Sequence, residues 1–204
     1  MYTCAKCKKH ACEWAEFDKM PKNCPSMSPV IESSKPEYQR EEFDPFGRVC
    51  SELSIMGGAE PQPRILEIIG VAKNCGFKKL GVAFCLGFAK EAEILVKVLE
   101  HHGFEVESVC CKVGGVDKSL QGIENGGNAM CNPIAQAQLM NEQKTEFNIA
   151  LGLCVGHDSL FFRYSDAPVT VLATKDKVLG HNPVAALYLA DGYYKNKLFP
   201  PKDE

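Results

Sequence analysis

The chain has 204 residues, of which 45% are hydrophobic, with 23 Lys and Arg against 26 Asp and Glu. A chain of this length buries roughly 70% of its unfolded surface, enough for one domain, or one domain plus a small module, without covalent staples. The net charge of −3 excludes a basic face for nucleic acid, no apolar run nears the ~18 residues of a membrane span, and the opening MYTCAKCKKH lacks the apolar stretch of a secretory signal. The expectation is a cytoplasmic globular protein with no nucleic-acid or membrane partner.

Residues 1–36 hold Cys4, Cys7, Cys12 and Cys24 together with Pro21, Pro25, Pro29 and Pro36, and no extended apolar period. Such a segment cannot bury enough apolar surface to order itself. The spacing Cys-x2-Cys-x4-Cys-x11-Cys lets thiolates converge on one ion from a tight turn, so these four are the expected ligands of a metal module. Zinc and an iron–sulfur cluster both suit the donors; Cys24-Pro25 is reminiscent of ferredoxin-type ligation, but the spacing differs from that pattern. His10 could replace one thiolate, although a solvated turn residue explains it as well. Residues 37–63 form a helical linker, with a helix from Pro45 to Ile55 ending at Gly57-Gly58 and a break at the 60–63 run E-P-Q-P.

From residue 64 to 204 helices and strands alternate. Arg64 to Asn74 carries Ile65, Ile68, Ile69 and Ala72 on one helical face, with Gly76 at its C-terminal end. Lys79 to Cys85 is a short apolar strand. Gly87 to His102 repeats Phe88, Ala92, Leu95 and Leu99 at helical spacing and stops at Gly103. Phe104 to Cys111 is a second strand. Asn132 caps a helix from Pro133 to Gln143. Phe147 to Val155 and Val169 to Thr174 are further strands, and Pro183 to Tyr194 is the last helix. This alternation predicts an α/β fold: a small, doubly wound, mainly parallel four-stranded sheet of flavodoxin-like type; the alternation does not fix the strand order, and 2-1-3-4 is one order compatible with it.

Ligands of such sheets bind beyond the carboxyl ends of the strands. Cys85, Cys110, Cys111 and Cys154 stand at strand ends, Cys131 opens a helix facing the same edge, and His157 follows Cys154 closely. These six residues are the candidate cofactor-binding set. A free cysteine is also a small buried hydrophobe, so packing competes for each one singly; five at one edge is harder to attribute to packing. Cys110 and Cys111, being adjacent, face opposite sides of a strand and serve one site only where the strand has ended. Glycines 114, 115, 126, 127 and 156 let backbone approach a ligand or make ordinary turns. His157-Asp158 and His181-Asn182 read equally well as caps of the helices that follow. Cys50 and Cys75 sit on helices and receive no chemical role.

The stretches CAKCKKHAC, NCP, GVAFCLGFAKEA, VESVCCKVGG, MCNPIAQA, LGLCVGHDSLFFRYSDAPVTVLATKD and GHNPVAALY run through nearly the whole chain. On these the sequence resembles an uncharacterised cysteine-rich family of archaea and anaerobic bacteria, described as metal-binding and as a domain of unknown function. The resemblance implies metal binding and supplies no substrate, reaction or catalytic residue.

Three functions follow. The first is a metalloprotein, with zinc or an iron–sulfur cluster on Cys4, Cys7, Cys12 and Cys24 and a second site at the sheet edge, acting with a redox partner if both hold clusters. The second is an enzyme on a small-molecule substrate, using Cys85, Cys110, Cys131 or Cys154 as nucleophile, His157 as general base and a structural N-terminal metal. The third is a module for a flavin or another phosphate-bearing ligand, against which stands the lack of a G-x-G-x-x-G or P-loop motif.

Overall fold

A computed structural model describes residues 2–41, 43–55, 62–124 and 127–201. They divide into two compact units, within 1–59 and 60–204.

The first unit is built from single 3-10 turns, as its prolines and scattered apolar residues dictate. These span Cys4–Lys6, Ala11–Trp14, Phe17–Lys19 and Pro25–Met27. Helix α1 (Val30–Ser34) runs into another 3-10 turn at Lys35–Gln39, and α2 (Phe46–Ile55) is the expected linker helix. Its expected stop at Gly57-Gly58 lies outside the described residues.

The second unit opens with α3 (Arg64–Asn74), which buries Ile68, Ile69 and Ala72. Gly76, at φ +75°, lets the amides of Gly76 and Phe77 turn back onto the Lys73 and Ala72 carbonyls and close the helix. Then follow β1 (Lys79–Phe84), α4 (Ala89–His101), β2 (Glu105–Cys110), α5 (Pro133–Glu142), β3 (Phe147–Leu151), α6 (His157–Tyr164) and β4 (Val169–Ala173). The Asn132 side chain accepts from Ala135 N at 3.1 Å, the expected cap of α5.

All strand pairs are parallel and the order is β2-β1-β3-β4. The central strands β1 and β3 are the apolar runs, and β3 is buried throughout. Ala83, Ala137, Met140, Ala150, Leu153 and Phe161 pack into one core between the sheet, α5 and α6. At the β4 edge, Arg64 donates from Nε to Val171 O at 2.6 Å and from Nη2 to Thr170 Oγ1 at 3.1 Å, so α3 occupies hydrogen-bonding groups that an edge strand leaves free. Among the described residues, no helix is long and apolar enough to cross a membrane.

Two elements differ from expectation. The third strand ends at Leu151, because Gly152 turns at φ +64° where a strand cannot continue. The predicted helix over 183–194 is reduced to the single turn α7 (Ala185–Tyr188), and a second one-turn helix, α8 (Lys195–Leu198), begins just beyond that range. Neither buries a residue, so no packed face supports a longer helix there.

Candidate functional site

The ladder continues past the strand ends and sets four segments side by side. Cys111 N donates to Phe84 O at 2.8 Å, Cys85 N to Leu151 O at 3.1 Å, Gly152 N to Ala173 O at 2.7 Å and Lys175 N to Leu153 O at 3.3 Å. The residues that leave the sheet together are therefore Cys111, Cys85, Cys154 and Lys175, from β2, β1, β3 and β4 in that order. The order reverses direction between β1 and β3, the switch point at which open parallel sheets hold ligands.

The Lys175 side chain reaches back over the end of β3 to the end of β1, where its Nζ donates to Cys85 Sγ at 2.8 Å. It also meets the Cys154 thiol on the way. Cys85 further accepts the Gly87 amide and contacts Cys111. Cys111 Sγ accepts the Leu86 amide at 3.4 Å and lies 3.8 Å from Cys131 Sγ. Cys131 is brought there by its neighbour, since Asn132 N donates to Cys111 O at 2.8 Å. Cys85 and Cys111 are buried, and Cys131 and Cys154 are half-buried.

The charges sort themselves along this row. Burial opposes ionisation of Cys85, but the hydrogen bond from Lys175, the Gly87 amide and the Lys175 charge overcome it and hold the thiol below its ordinary value. Lys175 moves the opposite way, upward, first through its hydrogen bond to Cys85. The two shifts agree on a thiolate–ammonium pair. Cys111 has burial without a cation and the charges of Cys131 and Cys85 beside it, and is pushed up to about 12. Cys111 is thus biased toward the protonated thiol and Cys85 toward the thiolate.

The loops hold this arrangement in place. Past Lys175, Asp176 Oδ1 accepts the Val178 and Leu179 amides at 3.0 Å each. His181 closes the same loop: its Nδ1 accepts from Asp176 N at 3.0 Å, and its ring packs on Phe88 with centroids 4.4 Å apart. A Cβ on Gly87 would stand 3.9 Å from both Cys85 Sγ and Lys175 Nζ, so this residue lies against the pair with no side chain to cover it. Beneath the row, Gln136 of α5 is fully buried and donates from Nε2 to Val109 O at 2.7 Å and Phe84 O at 3.3 Å, joining the ends of β2 and β1. Its Oε1 is buried without a hydrogen-bond partner among the described residues.

Of the six candidate edge residues, Cys85 and Cys154 meet Lys175, and Cys111 and Cys131 join the same row through Cys85. Cys110, the last residue of β2, joins none of the sulfur contacts among the described residues, as strand alternation requires. His157 opens α6, where its backbone amide donates to Cys154 O at 2.9 Å; among the described residues no hydrogen bond joins its ring to the four sulfurs. The group that instead addresses a thiol is Lys175. Asp158 sits inside the first turn of α6, behind Gly156 as cap, and its Oδ1 accepts from the Gly156 and Ser159 amides. Asn182 is not the cap of α7, which starts behind Val184.

In the first unit, Cys7 N donates to Cys4 O at 2.9 Å, and Asn23 Nδ2 donates to Thr3 Oγ1 at 3.0 Å. The turns carrying Cys4, Cys7 and Cys24 are thereby tied together. Hydrogen bonds from the His10 and Lys9 amides hold the Cys7 thiol below its ordinary value. Among the described residues, no group of three or more His, Cys, Asp or Glu side chains is arranged to hold a metal ion.

Residues 23–172 match the family described as protein of unknown function DUF1847. An uncharacterised protein of Methanocaldococcus jannaschii, MJ0455, is 41% identical over 203 residues, covering 98% of this chain and 99% of its own length.

Proposed function

We propose that this chain, which belongs to the DUF1847 family of unknown function, carries out thiol chemistry on a small substrate at the carboxyl edge of its sheet, with Cys85 as the nucleophile. The observation that carries this is the Lys175 ammonium 2.8 Å from the buried Cys85 sulfur. Packing explains a buried cysteine but not a lysine from a different strand end directed at it, and a cation so placed keeps a thiolate ionised where burial alone would protonate it. The thiolate supplies the electron pair, while Lys175 holds the charge before attack and can pass a proton to the departing group.

The test is competition labelling of the reduced protein by iodoacetamide at neutral pH, read peptide by peptide. Cys85 is expected to react faster than Cys50, which burial raises above its ordinary value. Lys175→Met should slow Cys85 about tenfold, the effect of one pKa unit on thiolate fraction. Equal rates for Cys85 and Cys50, or no effect of Lys175→Met, would remove the proposal.

A second reading concerns the first unit. Its tied turns and the two amides donated to Cys7 suit a thiolate that ligates a soft metal, so Cys4, Cys7, Cys12 and Cys24 would hold zinc or an iron–sulfur cluster. Zinc would cross-link a segment with little core of its own; a cluster would carry electrons. Elemental analysis after anaerobic purification should find zinc or iron in wild type and much less in Cys4→Ser/Cys24→Ser. Metal-free wild-type protein would exclude this reading.

A further inference from the structure

We infer that Cys131, Cys111 and Cys85 form a thiol–disulfide relay that takes an oxidising equivalent from a small disulfide at the surface to the buried Cys85. This rests on Cys85 being the thiolate proposed above, and it assigns a substrate class and an order of transfer to the same site.

Three chain segments bring their sulfurs together here: the end of β1, the end of β2 and the residue before the α5 cap. Cys131 and Cys111 are 3.8 Å apart, and Cys111 contacts Cys85. No hydrogen bond joins Cys131 to Cys85 among the described residues, so Cys111 is the middle of the row. Burial grades along it, from the half-buried Cys131 to the buried Cys111 and Cys85. A bulky disulfide therefore meets Cys131 first. Bringing sulfurs from 3.8 Å to the ~2 Å of a disulfide takes a side-chain rotation and a small shift of the 112–130 loop. That loop carries Gly114 and Gly115 at positive φ, and it is tied at its base by Met130 N to Val116 O and Lys112 Nζ to Ala129 O.

The steps balance as ordinary exchange. The Cys131 thiolate attacks one sulfur of R–S–S–R; the S–S bond breaks, leaving Cys131–S–S–R and one RS⁻. Cys111 attacks the Cys131 sulfur as its proton passes to the departing sulfur, forming Cys111–S–S–Cys131 and releasing the second RS group as RSH. The Cys85 thiolate then attacks the Cys111 sulfur, forming Cys85–S–S–Cys111 and returning Cys131 as thiolate. Two protein thiols are oxidised and one disulfide is reduced to two thiols. Lys175, losing its thiolate partner at Cys85, remains as a cation beside Cys154.

The experiment uses the full chain with Cys110→Ser, so that the adjacent thiol cannot be mistaken for Cys111. The reduced protein is treated with oxidised glutathione, trapped with N-ethylmaleimide and mapped by mass spectrometry. The expected product is Cys85–Cys111. With Cys85→Ser added, the product should be Cys111–Cys131, the relay halted one step short. With Cys131→Ser added, formation of the Cys85–Cys111 disulfide should slow by about tenfold or more, since Cys111 and Cys85 are buried. Glutathione adducts without an internal disulfide, or linkage to cysteines outside these three, would overturn the relay. So would a Cys111–Cys131 disulfide that persists when Cys85 is present. None of these results touches the iodoacetamide ranking of Cys85 and its dependence on Lys175, so failure of the relay and failure of the nucleophile are separable.

Discussion

At the scale of single residues, the site depends on one long side chain. Lys175 lies two residues past β4, yet its ammonium acts at the end of β1 because a parallel sheet brings all its carboxyl ends to one edge. The sequence puts Lys175-Asp176 at the end of the fourth strand, but nothing there gives the lysine a role. A lysine beside Asp176 and Lys177 reads as solvated surface, and only the strand order shows that its stem can cross β3 to reach Cys85. His157 was conspicuous in sequence for the opposite reason, being a histidine near a cysteine, but the turn at Gly156 makes it the first residue of a helix. The cysteines themselves were legible: four of the five at the edge meet, and the fifth, Cys110, is excluded by the alternation that the pair Cys110-Cys111 already implied. Gly152 belongs to this scale too. Its φ of +64° is left-handed, and an added Cβ would stand 2.1 Å from the Phe88 ring that supports His181. Gly152→Ala should therefore cost about 1–3 kcal/mol of stability in urea unfolding, and a variant as stable as wild type would contradict the packing described.

At the scale of elements, what could be read was what periodicity controls. Ile68, Ile69 and Ala72 of α3 and Ala92, Leu95 and Leu99 of α4 are the buried faces that their spacing announces. Asn132-Pro133 opens α5 as its cap chemistry requires. Errors arose where local pattern lacked tertiary support. The run from Pro183 to Tyr194 has apolar residues at plausible intervals, but Leu187, Tyr188, Leu189 and Tyr193 are exposed, and no face is buried to stabilise a helix longer than one turn. The third strand is four residues shorter than its apolar run suggests, because Gly152 looks like an ordinary strand glycine until the Phe88 ring is placed beside it. These elements matter to function through their ends. β1, β2 and β3 each deliver a cysteine at or just past the last residue of the strand, β4 delivers the lysine, and α5 delivers Cys131 one residue before its cap.

At the scale of the whole molecule, composition separated a proline-rich, cysteine-bearing first segment from an alternating α/β unit, and the backbone divides within the same linker region. The chemistry of the two units is distinct. In the first, backbone amides address a thiol in a segment of short turns; in the second, a lysine addresses a thiol at a sheet edge. The central claim concerns the second. A thiol whose pKa is lowered on folding is ionised in the native protein at pH values where the unfolded chain holds it protonated. The pair with Lys175 therefore persists above that midpoint and is lost as pH falls through it. The most direct measurement is the pH titration of the Cys85 Cβ signal by carbon NMR, in cysteine-labelled protein assigned by Cys85→Ser. The account predicts a midpoint below that of an ordinary thiol in wild type and a clear upward move in Lys175→Met. A midpoint at or above the ordinary value, unmoved by loss of Lys175, would contradict it.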